Sequence, residues 1–147
     1  MAAADDVGSR MPGPLEGIWL SSYDYESDSR GATFTSRHHV TVRHQGDLLR
    51  AESLPASRSQ VLMEMRVNGR TVLGQWMEHT DPEGHYGGAV YIGTVLMIVS
   101  PDGRSMSGKW TGGDKDGVTV NAGPWTLTLL EASTDADALA RWNREPE

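Results

Sequence analysis

Asn68-Gly69-Arg70-Thr71-Val72-Leu73-Gly74-Gln75-Trp76 returns 34 residues later as Asp102-Gly103-Arg104-Ser105-Met106-Ser107-Gly108-Lys109-Trp110. Each copy begins with a tight-turn dipeptide, continues through Arg and three further residues, and ends in Gly-x-Trp. Asn-Gly and Asp-Gly tolerate the positive φ of two-residue hairpin turns, so each copy is expected to open a strand that returns from a hairpin. Side chains alternate faces along a strand, so the Gly and the Trp share a face. A glycine there leaves room for the Trp of a neighbouring strand. Gly17-Ile18-Trp19 and Gly123-Pro124-Trp125 repeat the short form, so four of the five Trp follow a Gly at this spacing.

Outward from this pair the same rhythm continues. The first strand is read as 17–25, with Trp19, Ser21, Tyr23 and Tyr25 on one face, and the second as 33–44, with Phe34, Ser36, His38, Val40 and Val42 on one face. Gln45-Gly46-Asp47 turns the chain into a third strand at 48–54. The fourth, 60–67, alternates Val61, Met63, Met65 and Val67 against Leu62, Glu64 and Arg66. The fifth runs to His79 and places Val72, Gly74, Trp76 and Glu78 together. Strand six, 88–99, is apolar almost throughout, so its faces are indistinguishable by pattern. Strand seven, 104–111, sets Met106, Gly108 and Trp110 on one face, and strand eight covers 125–131. Residues 132–142 read as a short helix capped by Ser133 or Thr134. Residues 1–14, with Gly, Pro, Ser and Asp and no periodicity, read as a disordered leader.

Eight short strands joined by turns argue for an antiparallel meander. With at most one helix to cover a face, such a meander buries its apolar side by closing. The expected fold is therefore all-β: an eight-stranded antiparallel up-and-down barrel over 15–131, with a short C-terminal helix and tail over 132–147. A barrel of eight strands has room inside for one small ligand.

Composition narrows the functions. The chain has 147 residues, which suits one domain, and no apolar run long enough for a membrane helix. The N-terminus lacks the basic start and apolar core of a secretory signal, so a cytoplasmic location is expected. No cysteine is present, which removes disulfides, thiolate metal sites and thiol nucleophiles. A net charge of −7 argues against a nucleic-acid partner. Only two of the thirteen basic residues are lysines, a bias that fits a high-GC genome.

The Gly17-Ile18-Trp19 opening resembles the Gly-x-Trp of the calycin group, which comprises lipocalins, fatty-acid-binding proteins and avidins. That resemblance implies a basic side chain stacked on Trp19, with Arg141 or Arg144 in the matching place. The whole span from GIWLSSYDYES to GPWTLTLLE is similar to a barrel carried by actinobacterial regulators behind a helix-turn-helix domain. No helix-turn-helix is found in this sequence, so DNA binding does not follow. Lipocalin-like barrels also serve as cyclases in natural-product pathways, and here the likeness is architectural.

The inward face collects Trp19, Tyr23, Tyr25, Phe34, His38, Met63, Met65, Trp76, Glu78, Met106, Trp110 and Trp125, with Tyr91 on the unphased sixth strand. For any one of these, packed core is the ordinary alternative. As a group, one Phe against many Trp, Tyr and Met suits the wall of a cavity for an apolar ligand. Trp19, Tyr25, Phe34, Met63, Met65, Trp76, Tyr91, Met106, Trp110 and Trp125 are thus the expected ligand-binding residues. Glu78 follows Trp76 by two positions and is the expected polar group of the cavity, unless it sits in water at the barrel mouth. In an enzyme, Glu78 with Tyr23 or His38 would supply an acid or a hydrogen bond.

No metal site is expected: His38 and His44 lie roughly 20 Å apart along a strand, His38 and His39 face opposite ways, and no His-x-x-x-His helix exists. Asp114-Lys115-Asp116-Gly117 lacks the ligand repeat of a calcium loop, and no phosphate-loop, dinucleotide or Gly-x-Ser-x-Gly signature points to a cofactor or nucleophile. Two functions stay open: a sensor or carrier for an apolar metabolite, or a cyclase or isomerase that folds a flexible, polyketide-like substrate. The oligomeric state is open too, a homodimer included.

Overall fold

A computed structural model describes residues 12–27, 30–114 and 116–147. The expected leader, 1–14, falls mainly on residues 1–11, which lie outside the described residues. Eight strands follow in chain order: β1 Gly17–Ser27, β2 Ala32–Gln45, β3 Leu48–Ser53, β4 Gln60–Asn68, β5 Thr71–His79, β6 Val90–Val99, β7 Ser105–Gly113 and β8 Val120–Glu131. Each pairs antiparallel with its chain neighbours, and β8 returns to β1 to close the barrel. Closure leaves no sheet edge unpaired, which is how a chain with one short helix buries a whole sheet face.

The two ends of the barrel differ. At one end the links are tight. Gln45 pairs with Leu48 and Asn68 with Thr71, leaving two-residue turns that start on Gly46 (φ 60°) and Gly69 (φ 61°). Only the glycine takes positive φ in these turns, which fits a type II′ turn rather than the type I′ that Asn-Gly suggests. The second repeat differs from expectation: Ser100 and Ser105 bracket a four-residue link, with Gly103 at φ 72°. Chain 12–16 lies over this end. Gly13 N donates to His44 O (2.7 Å), Leu15 N to His44 Nδ1 (3.1 Å), and Leu15 O accepts the Trp19 indole N–H (2.9 Å). At the other end the links over 54–59, 80–89 and 114–119 are longer.

The half of the barrel nearest the tight turns is solid. Trp19, Val40, Val42, Met63, Met65, Met97, Met106 and Leu127 are all at most 2% exposed. This corrects the expectation that Trp19, Met63, Met65 and Met106 line a cavity. The reason is steric. A β-carbon on Gly74 would lie 2.6 Å from Met65 Cα, and one on Gly108 would lie 2.7 Å from Met97 Cα. Bare backbone at these two inward positions lets the strands and their Met side chains close up until side chains fill the interior. Of the four Gly-x-Trp glycines Gly123 has a Trp among its nearest neighbours, with the Trp110 Nε1 2.8 Å from where its β-carbon would be.

Strand six also resolves. Tyr91, Val95, Met97 and Val99 turn inward, while Val90, Ile92, Leu96 and Ile98 are exposed. Its apolar run therefore reflects an apolar outer face, continued on β5 by Leu73 and Met77. Strand eight begins at Val120, five residues before the expected start.

The helix, α1, spans Ala136–Trp142, and Asp135 is its cap, with the carboxylate accepting from Ala138 N at 2.9 Å. The expected caps lie too early because Glu131 is still in β8, and Ser133 Oγ accepts from Asp135 N instead. The Trp142 ring stands edge-on to His39 (5.2 Å, 73°), and the Trp142 N–H and Arg141 both bond Glu131. Arg144 lies 5.3 Å from the Trp142 ring. The stack on Trp19 that the resemblance implied is therefore not made by either arginine.

Candidate functional site

Above the solid half, at the end with the longer links, a cavity of about 440 Å³ opens. All four tyrosines of the chain, Tyr23, Tyr25, Tyr86 and Tyr91, line it together with Trp76, Trp110, Trp125 and Glu78. Strand phase brings most of them there. Glu78 pairs with Tyr91 across β5 and β6, and Tyr23 with Trp125 across β1 and β8.

Each tryptophan is fixed by its neighbours. Two glycines outside the repeat, Gly93 and Gly112, make room for Trp76: a β-carbon on either would lie within 2.7 Å of its indole. Its N–H is shared between Thr94 O (3.0 Å) and Thr111 O (3.2 Å). Trp110 donates to Asp24 O (3.0 Å) and Trp125 to Ser21 Oγ (2.7 Å). The three rings meet edge to face, with both Trp110 and Trp125 at 5.8 Å from Trp76, a favoured aromatic geometry. Tyr23 packs 4.7 Å from Trp125.

One polar pair interrupts this wall. The Tyr23 hydroxyl donates to Glu78 Oε2 in a short hydrogen bond. Burial pushes the Glu78 carboxyl above its usual 4.5, and the Tyr23 bond pulls part of the way back. The Tyr23 phenol is driven well above 10.0, first by burial and then by the neighbouring carboxylate. Both effects arise because the ionised forms lose water that the aromatic walls do not replace. Such an arrangement can accept a hydrogen bond or a positive charge, and when protonated Glu78 can donate.

The remaining expected residues lie elsewhere. Phe34 sits outside the cavity wall, where the β1–β2 hairpin runs past the barrel. There it stacks on Tyr25 (6.0 Å) and carries the Arg30 guanidinium 3.7 Å above its ring. His38 is 2% exposed, packed parallel to Tyr23 (6.0 Å, 10°), and does not line the cavity. Burial pushes its imidazole down to about 4, and its Nδ1 has no partner among the described residues. It is a neutral wall residue behind Tyr23, and no hydrogen bond joins it to Glu78 among the described residues.

Sequence reasoning missed the mouth. Tyr86 donates to Ser27 Oγ (2.6 Å) and stands edge-on to both Tyr25 and Tyr91, each at 6.2 Å. Arg30 reaches Tyr25 Oη at 3.0 Å. The signal was two aromatic rings, His85 and Tyr86, set among glycines in a link where a polar turn would have served. Gly87 (φ 63°) and Gly88 (φ 77°) fold that link back over the opening.

No family model, curated protein or solved structure matches the chain. The architecture itself, a closed eight-stranded antiparallel barrel with a short C-terminal helix, is that of a lipocalin-like barrel. No helix among the described residues is long and apolar enough to cross a membrane.

Proposed function

We propose that the protein binds a small, largely apolar molecule in the open end of the barrel, as a sensor or carrier. The observation that carries this reading is the gathering of all four tyrosines and three of five tryptophans around one cavity, with the Glu78 carboxyl set among them. A chain that needed only a core had Met and Val for the purpose, and uses them in the other half. At about 440 Å³ the cavity falls within the range of small-molecule sites. Titration with the uncharged probe phenylnaphthylamine tests the reading through tryptophan emission, since three indoles form the wall. Saturable quenching by one equivalent, weakened by Tyr91→Ala, is the expected result. A linear, unsaturable signal that ignores this substitution would overturn it.

The Tyr23–Glu78 pair favours a second reading, an enzyme of the cyclase or isomerase type. A carboxyl raised by burial beside aromatic walls is suited to general acid work, and the walls could hold a flexible substrate in a reactive shape. In that case Glu78→Gln lowers turnover far more than it weakens binding, because a proton donor acts in the transition state. A sensor shows no turnover to lose. A cytoplasmic location is part of this proposal, resting on the composition of the chain; the oligomeric state stays open.

A further inference from the structure

The cavity is rich in acceptors and aromatic faces, and the donors of its deep wall are spent. All three wall indoles spend their N–H groups on backbone carbonyls or Ser21. The Tyr23 hydroxyl is given to Glu78 and the Tyr86 hydroxyl to Ser27. Glu78 Oε2 takes the Tyr23 bond, and no other hydrogen bond among the described residues reaches that carboxyl. Beside Glu78, a guest carboxylate or phosphate would lose its water against indole and phenol groups whose donors are already given away, and would meet a like charge.

Charge points the same way. Among the described residues, five carboxylates border the cavity, those of Glu26, Glu78, Asp81, Asp114 and Asp116, against one guanidinium and the His85 imidazole. The guanidinium, Arg30, is turned onto the Phe34 ring and held to Tyr25 Oη. A cleft of one sign with low-dielectric walls focuses its field and concentrates ligands of the opposite sign. Aromatic faces add to this, because their quadrupoles attract cations. Tyr25, Tyr86 and Tyr91 stand edge-on around the mouth, and Tyr91 faces Glu78 across the strand pair.

We propose that the ligand carries a protonated amine on an aromatic or apolar body, with the ammonium group set against Glu78 and the body against Trp76, Trp110 and Trp125. This rests on the reading of the cavity as a small-molecule site. The ammonium donates to the Glu78 carboxyl, which accepts from Tyr23 alone among the described residues, and it neutralises a carboxylate that aromatic surroundings leave short of water.

Calorimetric titration of the full chain with naphthylethylamine, naphthylethanol and naphthylpropionate separates the two claims, because the three share a body and differ in the head group. The amine is expected to bind at least about tenfold tighter than the alcohol, and the acid not at all. Glu78→Gln keeps the shape and is expected to bring amine and alcohol to equal affinity. Equal affinities for amine and alcohol in the wild type, or tighter binding of the acid, overturn the amine proposal and leave the apolar site standing. Failure of all three to bind overturns both. The comparison in the wild type needs no variant to fold.

Discussion

His38 should be the residue that makes the barrel acid-sensitive. It is 2% exposed, packed against Tyr23, and its Nδ1 has no partner among the described residues. Burial moves the imidazole from its usual 6.5 down to about 4. The unfolded chain takes up a proton below about pH 6.5 while the folded chain refuses it until about pH 4. The folded state is therefore fully favoured above 6.5 and loses stability as pH falls through that window. At about pH 4.5 the loss is about 2–3 kcal/mol, from 1.36 kcal/mol per pH unit of difference between the two states. His38→Leu removes the proton and the unpartnered nitrogen together. Urea unfolding at about pH 7.5 and about pH 4.5 should show the wild type losing about 2–3 kcal/mol more than the variant, since every other titrating group is common to both. Parallel losses would mean that the imidazole is solvated or paired when protonated, and the packing account of His38 would be wrong.

Tyr23→Phe should cost about 1–3 kcal/mol by leaving the half-buried Glu78 carboxyl without its donor. It should also raise the Glu78 titration midpoint further, as read by carboxyl carbon resonances, because the lost bond was what opposed burial. A raised carboxyl weakens the fold as pH climbs past its unfolded value, so the Tyr23→Phe deficit should be larger at about pH 8 than at about pH 4. An unchanged Glu78 midpoint would count against the pair. Gly93→Ala should cost about 1–3 kcal/mol or more in urea unfolding, because its β-carbon would lie 1.9 Å from Thr111 O and 2.7 Å from the Trp76 indole. Gly113→Ala, with nothing within 4 Å, is the control; equal effects from the two would refute the close approach.

The fold was legible because closure follows from the period-two pattern and the near-absence of helix, and the repeated Gly-x-Trp marked the inward phase of four strands. Glu78 was legible for the same reason: alternation from Gly74 and Trp76 placed it inside. Depth was not legible. Phase says that Met63, Met65 and Met106 point inward, but whether inward means cavity or solid core depends on how closely the strands approach. That was decided by bare backbone at Gly74 and Gly108 against neighbours far away in sequence. Phe34 shows the same limit, since it has the inward phase but lies where the hairpin runs past the barrel. Tyr86 and Arg30 sit in links, where no periodicity reports a direction.

The central claim is that the aromatic end of the barrel is the binding site, and the five tryptophan indole N–H resonances report on it individually. Trp76, Trp110 and Trp125 line the cavity, Trp19 is sealed in the opposite end beneath Leu15, and Trp142 lies against His39 on the outer face of β2. Titrating isotope-labelled protein with naphthylethylamine should shift the first three signals saturably and leave those of Trp19 and Trp142 in place. Shifts centred on Trp142 or Trp19, or none at the three wall indoles, would contradict the account.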